Sequence, residues 1–555
     1  MRPRPRSARD DRSDGSRMAT LGLRAGIGLN GGPGSMVLQA ETIRPGGGWR
    51  RPVLAVCAGL MLSASFPSLD LTPLAWVGLV PLLWAVRGRS PGRAFGLGWL
   101  AGLAFYLATC WWIVHTIGHY TDLPVAVGVV LLGLMSAVLA VYHGAFAAGV
   151  RWLEDRRLPA VWIAPALWVT LEWLRGWFFI GFPWAALGYS QHRFHDLVQI
   201  AEVTGVYGVS AVVVLFNVVV AKALRERGEG ARRLLPAMVT LTLLVAVLPA
   251  LGRWRAASLA ARPPAGTLTV GLAQGNVEQD RKWDPAFQDE TMNRYRVLTL
   301  EAARERPALI VWPETATPFF FQNPGPRRES VFEIAREAGV PLLFGAPAYR
   351  QAGDGRIEQL NRAYLLLPDG REAGDYDKMQ LVPFGEYVPF GRILFFVEQL
   401  VQAVGQLGAG LVPTVFRLPD GVRFGALICY EGIFPALTRE FVARGADVLV
   451  NVTNDAWYGR TGAPAQHLIQ ASFRTVENRV PMVRAANTGI SALIDTEGRI
   501  RWQSPLFETA WHVGTVSWPG VRTFYTRFGD VFVYLCALAT LAAIGVGIRR
   551  GPPAA

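Results

Sequence analysis

Charge is scarce in this chain. Asp, Glu, Lys and Arg make up 17% of its 555 residues, against about a quarter in ordinary soluble domains. Hydrophobic residues reach 51%, with 19 Trp, and mean hydropathy is +0.26. A single soluble domain is excluded, because the chain is both too long and too apolar. Cysteine is scarce too. Cys57, Cys110 and Cys536 lie inside long apolar runs and Cys429 has no evident mate, which argues against a disulfide framework. No Cys/His spacing of the zinc-binding kind occurs, so no metal is expected. Histidine numbers seven, and of these only His467 and His512 fall within 253–528. Neither sits in a strand-end motif, which leaves a Cys–His pair as a weak rival for any thiol chemistry. The net charge of +13 would suit nucleic acid, but an excess of Arg in alternate loops is also what membrane topology produces. Nucleic acid is not expected as a partner.

Residues 1–48 are rich in Arg, Gly and Ser without apolar periodicity, and read as a disordered basic tail. Met18 and Met36 are alternative starts, and no apolar core follows at signal-peptide distance. Beyond the tail, charge-free runs fall near 52–69, 71–86, 94–117, 123–150, 158–176, 203–221, 234–252 and 531–548. A span needs about 17–25 residues, so eight spans are expected: seven in a bundle over 49–252 and one in 529–555. Arg87, Arg89 and Arg93 share one loop, Arg151, Arg156 and Arg157 the next but one, and Lys222 to Arg233 a third. Arg549 and Arg550 close the last run, while the alternate loops carry almost no Lys or Arg. The positive-inside rule then puts both termini in the cytoplasm and the segment 253–528 on the other side. Glu172 and Arg175, three apart in span five, are expected to form a local ion pair.

The segment 253–528 has a different texture. Strand-like runs such as "TLTVGLAQ", "ALIVWPE", "PLLFGAP", "FGALICY" and "DVLVNVTND" alternate with helical stretches such as "AFQDETMNRYRVLTLEAARER" and "FPALTREFVARG". Such alternation predicts a layered α/β domain with its reactive groups at strand ends. The expected architecture is a multi-pass α-helical membrane bundle carrying one extracytoplasmic α/β domain.

Three strand ends carry chemistry. "LIVWPETA" ends on Glu314, "GDYDKMQLVPFGEYVPF" presents Lys378 and then Glu386, and "GALICYEG" presents Cys429. Alone, each has a bland reading: a capping acid, a solvated lysine, a small hydrophobe in a core. Together they make a nucleophile apparatus without histidine. Glu314 suits a general base, Lys378 a cation for the oxyanion, and Cys429 the attacking thiol. A helix starting near Phe434 would favour the thiolate through its N-terminus, and the N–H of Tyr430 is a natural second oxyanion donor.

In that order, "WPET", "YDKMQLVPFGEYVP" and "ICYEG" resemble the Glu-Lys-Cys signature of the nitrilase superfamily. With "AQGNVEQDRKWD", "GFPWAALGYSQ" and "NVTNDAWYG" on a membrane frame, residues 50–550 resemble the apolipoprotein N-acyltransferase family of membrane-anchored nitrilases. The resemblance implies an αββα sandwich over 253–528 and a catalytic triad of Glu314, Lys378 and Cys429. It further implies supporting or substrate-binding roles for Glu386, Tyr430, Glu431, Trp283, Trp457 and Asn361. The implied reaction takes an acyl chain from a phospholipid, holds it as a thioester on Cys429, and passes it to the α-amine of a diacylglyceryl-cysteine apolipoprotein. No cofactor is required. The implied location is the bacterial inner membrane, with the catalytic domain periplasmic. The run 393–404, "ILFFVEQLVQAV", is expected to be an apolar arm that gates lipid entry. A membrane-tethered amidase or hydrolase is the alternative within the same chemistry, and a scaffold with an inert nitrilase-like domain is the alternative outside it.

Overall fold

The computed structural model describes residues 48–121, 123–178, 181–227, 231–353, 355–389 and 406–551. The basic tail, apart from Gly48, and the arm expected over 393–404 lie outside these residues.

Every charge-free run carries helix. The helices are Arg50–Ala64, Val80–Ala85 after a 3-10 turn at Thr72–Trp76, Pro91–Thr109, Trp112–Tyr120, Val125–Asp155, Ala160–Trp177 and Val206–Arg225. Ala231–Thr242 continues through a π turn into Leu248–Ala260, and Val531–Arg550 ends the chain. By length and composition, Val125–Asp155, Val206–Arg225, Leu235–Ala260 and Val531–Arg550 are long and apolar enough to cross a membrane. Pro91–Thr109 and Trp112–Tyr120, bent by 50°, would add a fifth if taken as one span. The count among the described residues is therefore four or five, below the eight expected. Of the three runs that fall short, two do so for local reasons. Residues 52–69 yield a 15-residue helix, about 22 Å at 1.5 Å per residue and short of a hydrocarbon core of about 30 Å. Residues 71–86 break where Pro73 and Pro81 each open a new short helix. Small residues let the remaining helices meet closely. A Cβ on Gly98 would lie 2.5 Å from the His143 carbonyl oxygen, and one on Gly102 2.8 Å from the Ala140 Cα, the close approach that small-residue faces allow.

Glu172 and Arg175 do not form the ion pair expected of them. Glu172 accepts from Trp168 Nε1 at 3.2 Å and the Leu187 N–H at 2.7 Å, while Arg175 donates to the Trp184 carbonyl at 2.6 Å. A loop that folds back into the bundle supplies both backbone partners.

The last bundle helix reaches Ala260, so the α/β domain starts later than residue 253. Its strands are β1 (Gly266–Gln274), β2 (Leu309–Val311), β3 (Leu342–Gln351), β4 (Ile357–Leu366), β5 (Glu372–Asp377) and β6 (Val415–Arg417). They continue as β7 (Arg423–Ile428), β8 (Val448–Thr453), β9 (Met482–Ala486), β10 (Ala492–Ile494), β11 (Ile500–Gln503) and β12 (Ala510–Trp518). Two six-stranded sheets form, ordered β12-β1-β2-β3-β4-β5 and β11-β10-β9-β8-β7-β6. Period-two alternation sorts their side chains. Leu268, Val270, Leu343 and Leu365 enter the core shared with Ile428 and Val450 of the second sheet. Ile310, Leu342, Phe344 and Leu366 face the opposite way, into a core with Tyr295 and Phe332 from helices Gln288–Ala303 and Pro326–Ala338. Helices Pro435–Ala443 and Ala463–Asn478 belong to the second sheet's half. This is the expected αββα sandwich.

Ala463–Asn478 shows how bundle and sandwich join. Its polar residues Gln466, Gln470, Arg474 and Glu477 are all buried, because the face that a soluble sandwich would turn to water meets the bundle instead. Trp184 Nε1 donates to Gln466 at 2.7 Å, the Ala185 N–H to Gln470 at 3.1 Å, and the Val206 N–H to Glu477 at 3.0 Å. Arg474 holds Glu477 at 2.8 Å and Tyr189 at 2.9 Å. Arg474→Met should therefore destabilise the protein in detergent by about 3–5 kcal/mol by stranding the Glu477 carboxylate. Adding Glu477→Gln should restore most of the lost melting temperature.

Candidate active site

Four backbone features converge on one point. After β2 the chain turns at Pro313-Glu314-Thr315, with Thr315 at φ 45. The turn presses on β3 so closely that a Cβ on Gly345 would lie 2.4 Å from the Thr315 nitrogen. β4 brings Asn361, the residue after β5 is Lys378, and β7 delivers Cys429. Cys429 itself is left-handed, at φ 54, a conformation that costs a non-glycine residue of order 1–3 kcal/mol.

The side chains meet there almost without water. Glu314, Asn361, Lys378, Glu386 and Cys429 are each less than a tenth exposed. Lys378 Nζ donates to Glu386 Oε1 at 2.7 Å and to Glu314 Oε1 at 3.4 Å, and Asn361 Nδ2 donates to Glu314 Oε1 at 2.6 Å. The Val382 N–H holds the other Glu386 oxygen at 2.8 Å. Burial alone would lower the Lys378 pKa, but Glu386 and Glu314 outweigh it and hold the ammonium charged.

Glu431 is fully buried and works as a staple. Its Oε1 accepts from Tyr376 OH at 2.8 Å and from the Met379 and Gln380 N–H groups at 2.6 and 3.0 Å. Its Oε2 accepts the Ile428 N–H at 2.7 Å. One carboxylate thus ties the cysteine turn to the segment that follows Lys378. Burial pushes its pKa up to about 7 against these donors. Tyr430 turns away, packing on Phe434 with ring centroids 4.9 Å apart and joining the bundle core. Trp283 is 48% exposed at the end of the short helix Gln279–Lys282. Trp457 meets the Tyr120 ring at 5.0 Å, and its carbonyl accepts from Thr116 at 2.8 Å. Of the nine residues expected at the site, Glu314, Lys378, Glu386 and Asn361 share direct hydrogen bonds, and Cys429 is buried within reach of the Glu314 and Lys378 charges. Glu431 stands one shell behind, and the two tryptophans and the Tyr430 ring lie on the flanks facing the surface or the bundle.

The helix expected near Phe434 is present: Phe434 caps Pro435–Ala443, behind a 3-10 turn over Cys429–Ile433. The expected thiolate is not found. Burial, followed by the Glu314 charge, pushes the Cys429 thiol up to about 12 despite Lys378. The resting sulfur is a thiol, not the thiolate that a helix N-terminus would favour. His467 touches the backbone of Cys429: Nε2 lies 3.2 Å from the Cys429 carbonyl and Nδ1 2.9 Å from Asp455. Arg484 holds the other Asp455 oxygen at 2.8 Å, and all three side chains are fully buried.

Asp455 and Lys282 went unassigned in the sequence although both lie in quoted motifs, "NVTNDAWYG" and "AQGNVEQDRKWD". Lys282 Nζ donates to the Glu314 carbonyl at 3.2 Å and to Thr315 Oγ1. Among the described residues no cluster of His, Cys, Asp and Glu has the geometry to hold a metal ion. Iodoacetamide modification of Cys429, read by peptide mass mapping, should keep rising with pH beyond 9. A plateau already reached below about pH 7, well under the ordinary cysteine pKa of about 8.5, would show a resting thiolate instead.

Family models match both halves of the chain. Residues 58–219 match the apolipoprotein N-acyltransferase N-terminal domain, and residues 269–523 match the carbon-nitrogen hydrolase domain. An apolipoprotein N-acyltransferase of Geobacter metallireducens is 42% identical over 90% of this chain and 95% of its own length. That of Rhizobium rhizogenes is 34% identical over 82% of this chain and 87% of its own. A nitrilase-superfamily amidase from Nesterenkonia aligns with 50% of this chain and 98% of its own at 19% identity and a TM-score of 0.37. From the length and identity of the first two matches, the chain belongs to the apolipoprotein N-acyltransferase family.

Proposed function

We propose that the protein moves an acyl chain from a phospholipid to the α-amine of an N-terminal diacylglyceryl-cysteine, through a thioester on Cys429. The observation that carries this reading is the dry meeting of Glu314, Lys378 and Cys429 at strand ends, in a domain joined through buried polar contacts to apolar helices.

The first half-reaction forms a C–S bond. Cys429 Sγ attacks the donor's ester carbonyl as its proton passes to the Glu314 carboxylate, because a thiol held protonated at rest must lose its proton during attack. Negative charge then develops on the carbonyl oxygen, where the Lys378 ammonium and the Tyr430 N–H receive it. Collapse breaks the ester C–O bond. Glu314 returns its proton to the departing alkoxide, and a lysophospholipid leaves. In the second half, the acceptor's neutral α-amine attacks the thioester and gives its proton to Glu314. The C–S bond breaks, and the proton goes back to sulfur. The product is an amide, and protons balance over the cycle without a cofactor. Glu386 keeps the Lys378 head aimed, since a lysine between two carboxylates has little freedom to swing.

The Arg-rich alternate loops support an inner-membrane location with the catalytic domain periplasmic and both termini cytoplasmic. A phospholipid with a labelled acyl chain should leave the label on Cys429, seen by mass spectrometry, and Cys429→Ala should abolish it. Glu314→Gln should slow acylation by about 10²–10⁴-fold. Label passing to the amine of a diacylglyceryl lipopeptide supports transfer. Label released only as free fatty acid would overturn transfer in favour of a hydrolase.

A further inference from the structure

Lysine is rare in this protein. Of 55 basic residues, only Lys222, Lys282 and Lys378 are lysines, and two of the three are buried around the Glu314 turn. Elsewhere the chain uses arginine. A compact ammonium on an unbranched stem fits where a planar guanidinium does not, so two retained lysines in one dry pocket call for a reason.

Lys378 is shared between two carboxylates. With the thiol neutral, Glu314 and Glu386 bring two negative charges against that one positive charge. Lys282 supplies the second positive charge. It is 2% exposed, and the acceptors it finds among the described residues, the Glu314 carbonyl and Thr315 Oγ1, are both neutral. No carboxylate among them forms an ion pair with it. A buried ammonium in that position is costly unless a nearby charge needs it. Burial brings its pKa down to about 8 against the opposing pull of the Glu314 charge, so it is mostly charged at neutral pH. The neighbouring acid Asp455 is already paired with Arg484 and His467 and needs no further cation.

We propose that Lys282 is a positioning residue for the reaction, the counter-charge that keeps Glu314 ionised as the base while anchoring its turn. Lys282 hydrogen-bonds the backbone of the very residue whose charge it balances, so one side chain sets both the place and the protonation state of the base. The inference rests on the reading of Glu314 as general base and Cys429 as nucleophile. The groups that set the Glu314 titration are then Lys378, Lys282, Glu386 and Cys429, with Asp455, His467 and Arg484 behind the sulfur.

The test is the pH profile of the acylation burst with a soluble p-nitrophenyl ester, run on the full-length protein in detergent. This readout needs the nucleophile and base but not phospholipid recognition. Removing a positive charge raises the pKa of the neighbouring acid, so in Lys282→Met the acid limb should move up by one pH unit or more. The burst rate on that limb should fall by up to tenfold for each pH unit the limb moves, and by less than threefold on the plateau above it. Lys282→Arg, which keeps the charge, should leave the limb within about 0.3 unit of wild type. A loss by the same factor at every pH would make Lys282 a mere strut and overturn the proposal, as would an unmoved limb in Lys282→Met. If Lys282→Met does not fold, Lys282→Gln takes its place, and a shifted limb in a folded Lys282→Arg also overturns it. A wild-type protein that gives no burst would instead overturn the acyl-enzyme reading on which it rests.

Discussion

Lys378 holds Glu386 at 2.7 Å and Glu314 at 3.4 Å in a pocket from which nearly all water is gone. Any one of these charges buried alone would cost several kcal/mol. Together they compensate, and much of the surrounding architecture serves to keep them together. Glu386 is held at its second oxygen by a backbone N–H of its own turn. Asn361, on the strand that pairs with β5, restrains the same Glu314 oxygen that Lys378 reaches. Glu431 spends four hydrogen bonds tying the cysteine turn to the lysine's segment. The same burial raises the thiol pKa, so in the proposed mechanism Cys429 attacks only as Glu314 takes its proton.

Backbone strain is present at the same point. Cys429 and Thr315, immediately after the base, are both left-handed, and the carbonyl beside each strained bond is held by a buried side chain. Lys282 grips the Glu314 carbonyl, while His467 and Asn451 grip that of Cys429. Strain persists only where surrounding contacts over-determine it, and here they do. The helix carrying His467 also carries Arg474 and Glu477, which engage the bundle. Membrane frame and reaction centre are thus linked by one rigid element, Ala463–Asn478.

Much of this was legible in the chain. Glu314, Lys378 and Cys429 stand at strand ends in recognisable motifs, and the αββα layering follows from strand and helix alternation. The span count was less legible. Charge-free length says where helix is possible, but Pro73 and Pro81 divide one run and another gives a helix too short to cross. The Glu172–Arg175 pairing failed for a related reason. Spacing along a helix cannot reveal that the loop at 184–187 folds back and offers backbone groups to both.

Residue types and their order were enough to determine the family, the two-part architecture and the acid, lysine and cysteine at the centre, because each chemistry needs a particular functional group and each motif carries it locally. The tertiary structure alone decided the protonation of Cys429, the partners of Glu431 and the places of Lys282 and His467. Those depend on burial and on contacts between segments far apart in the chain, and neither quantity has a local signature. Burial turned a cysteine expected as a thiolate into a thiol, and turned an unremarked lysine before Trp283 into a second buried charge beside the base.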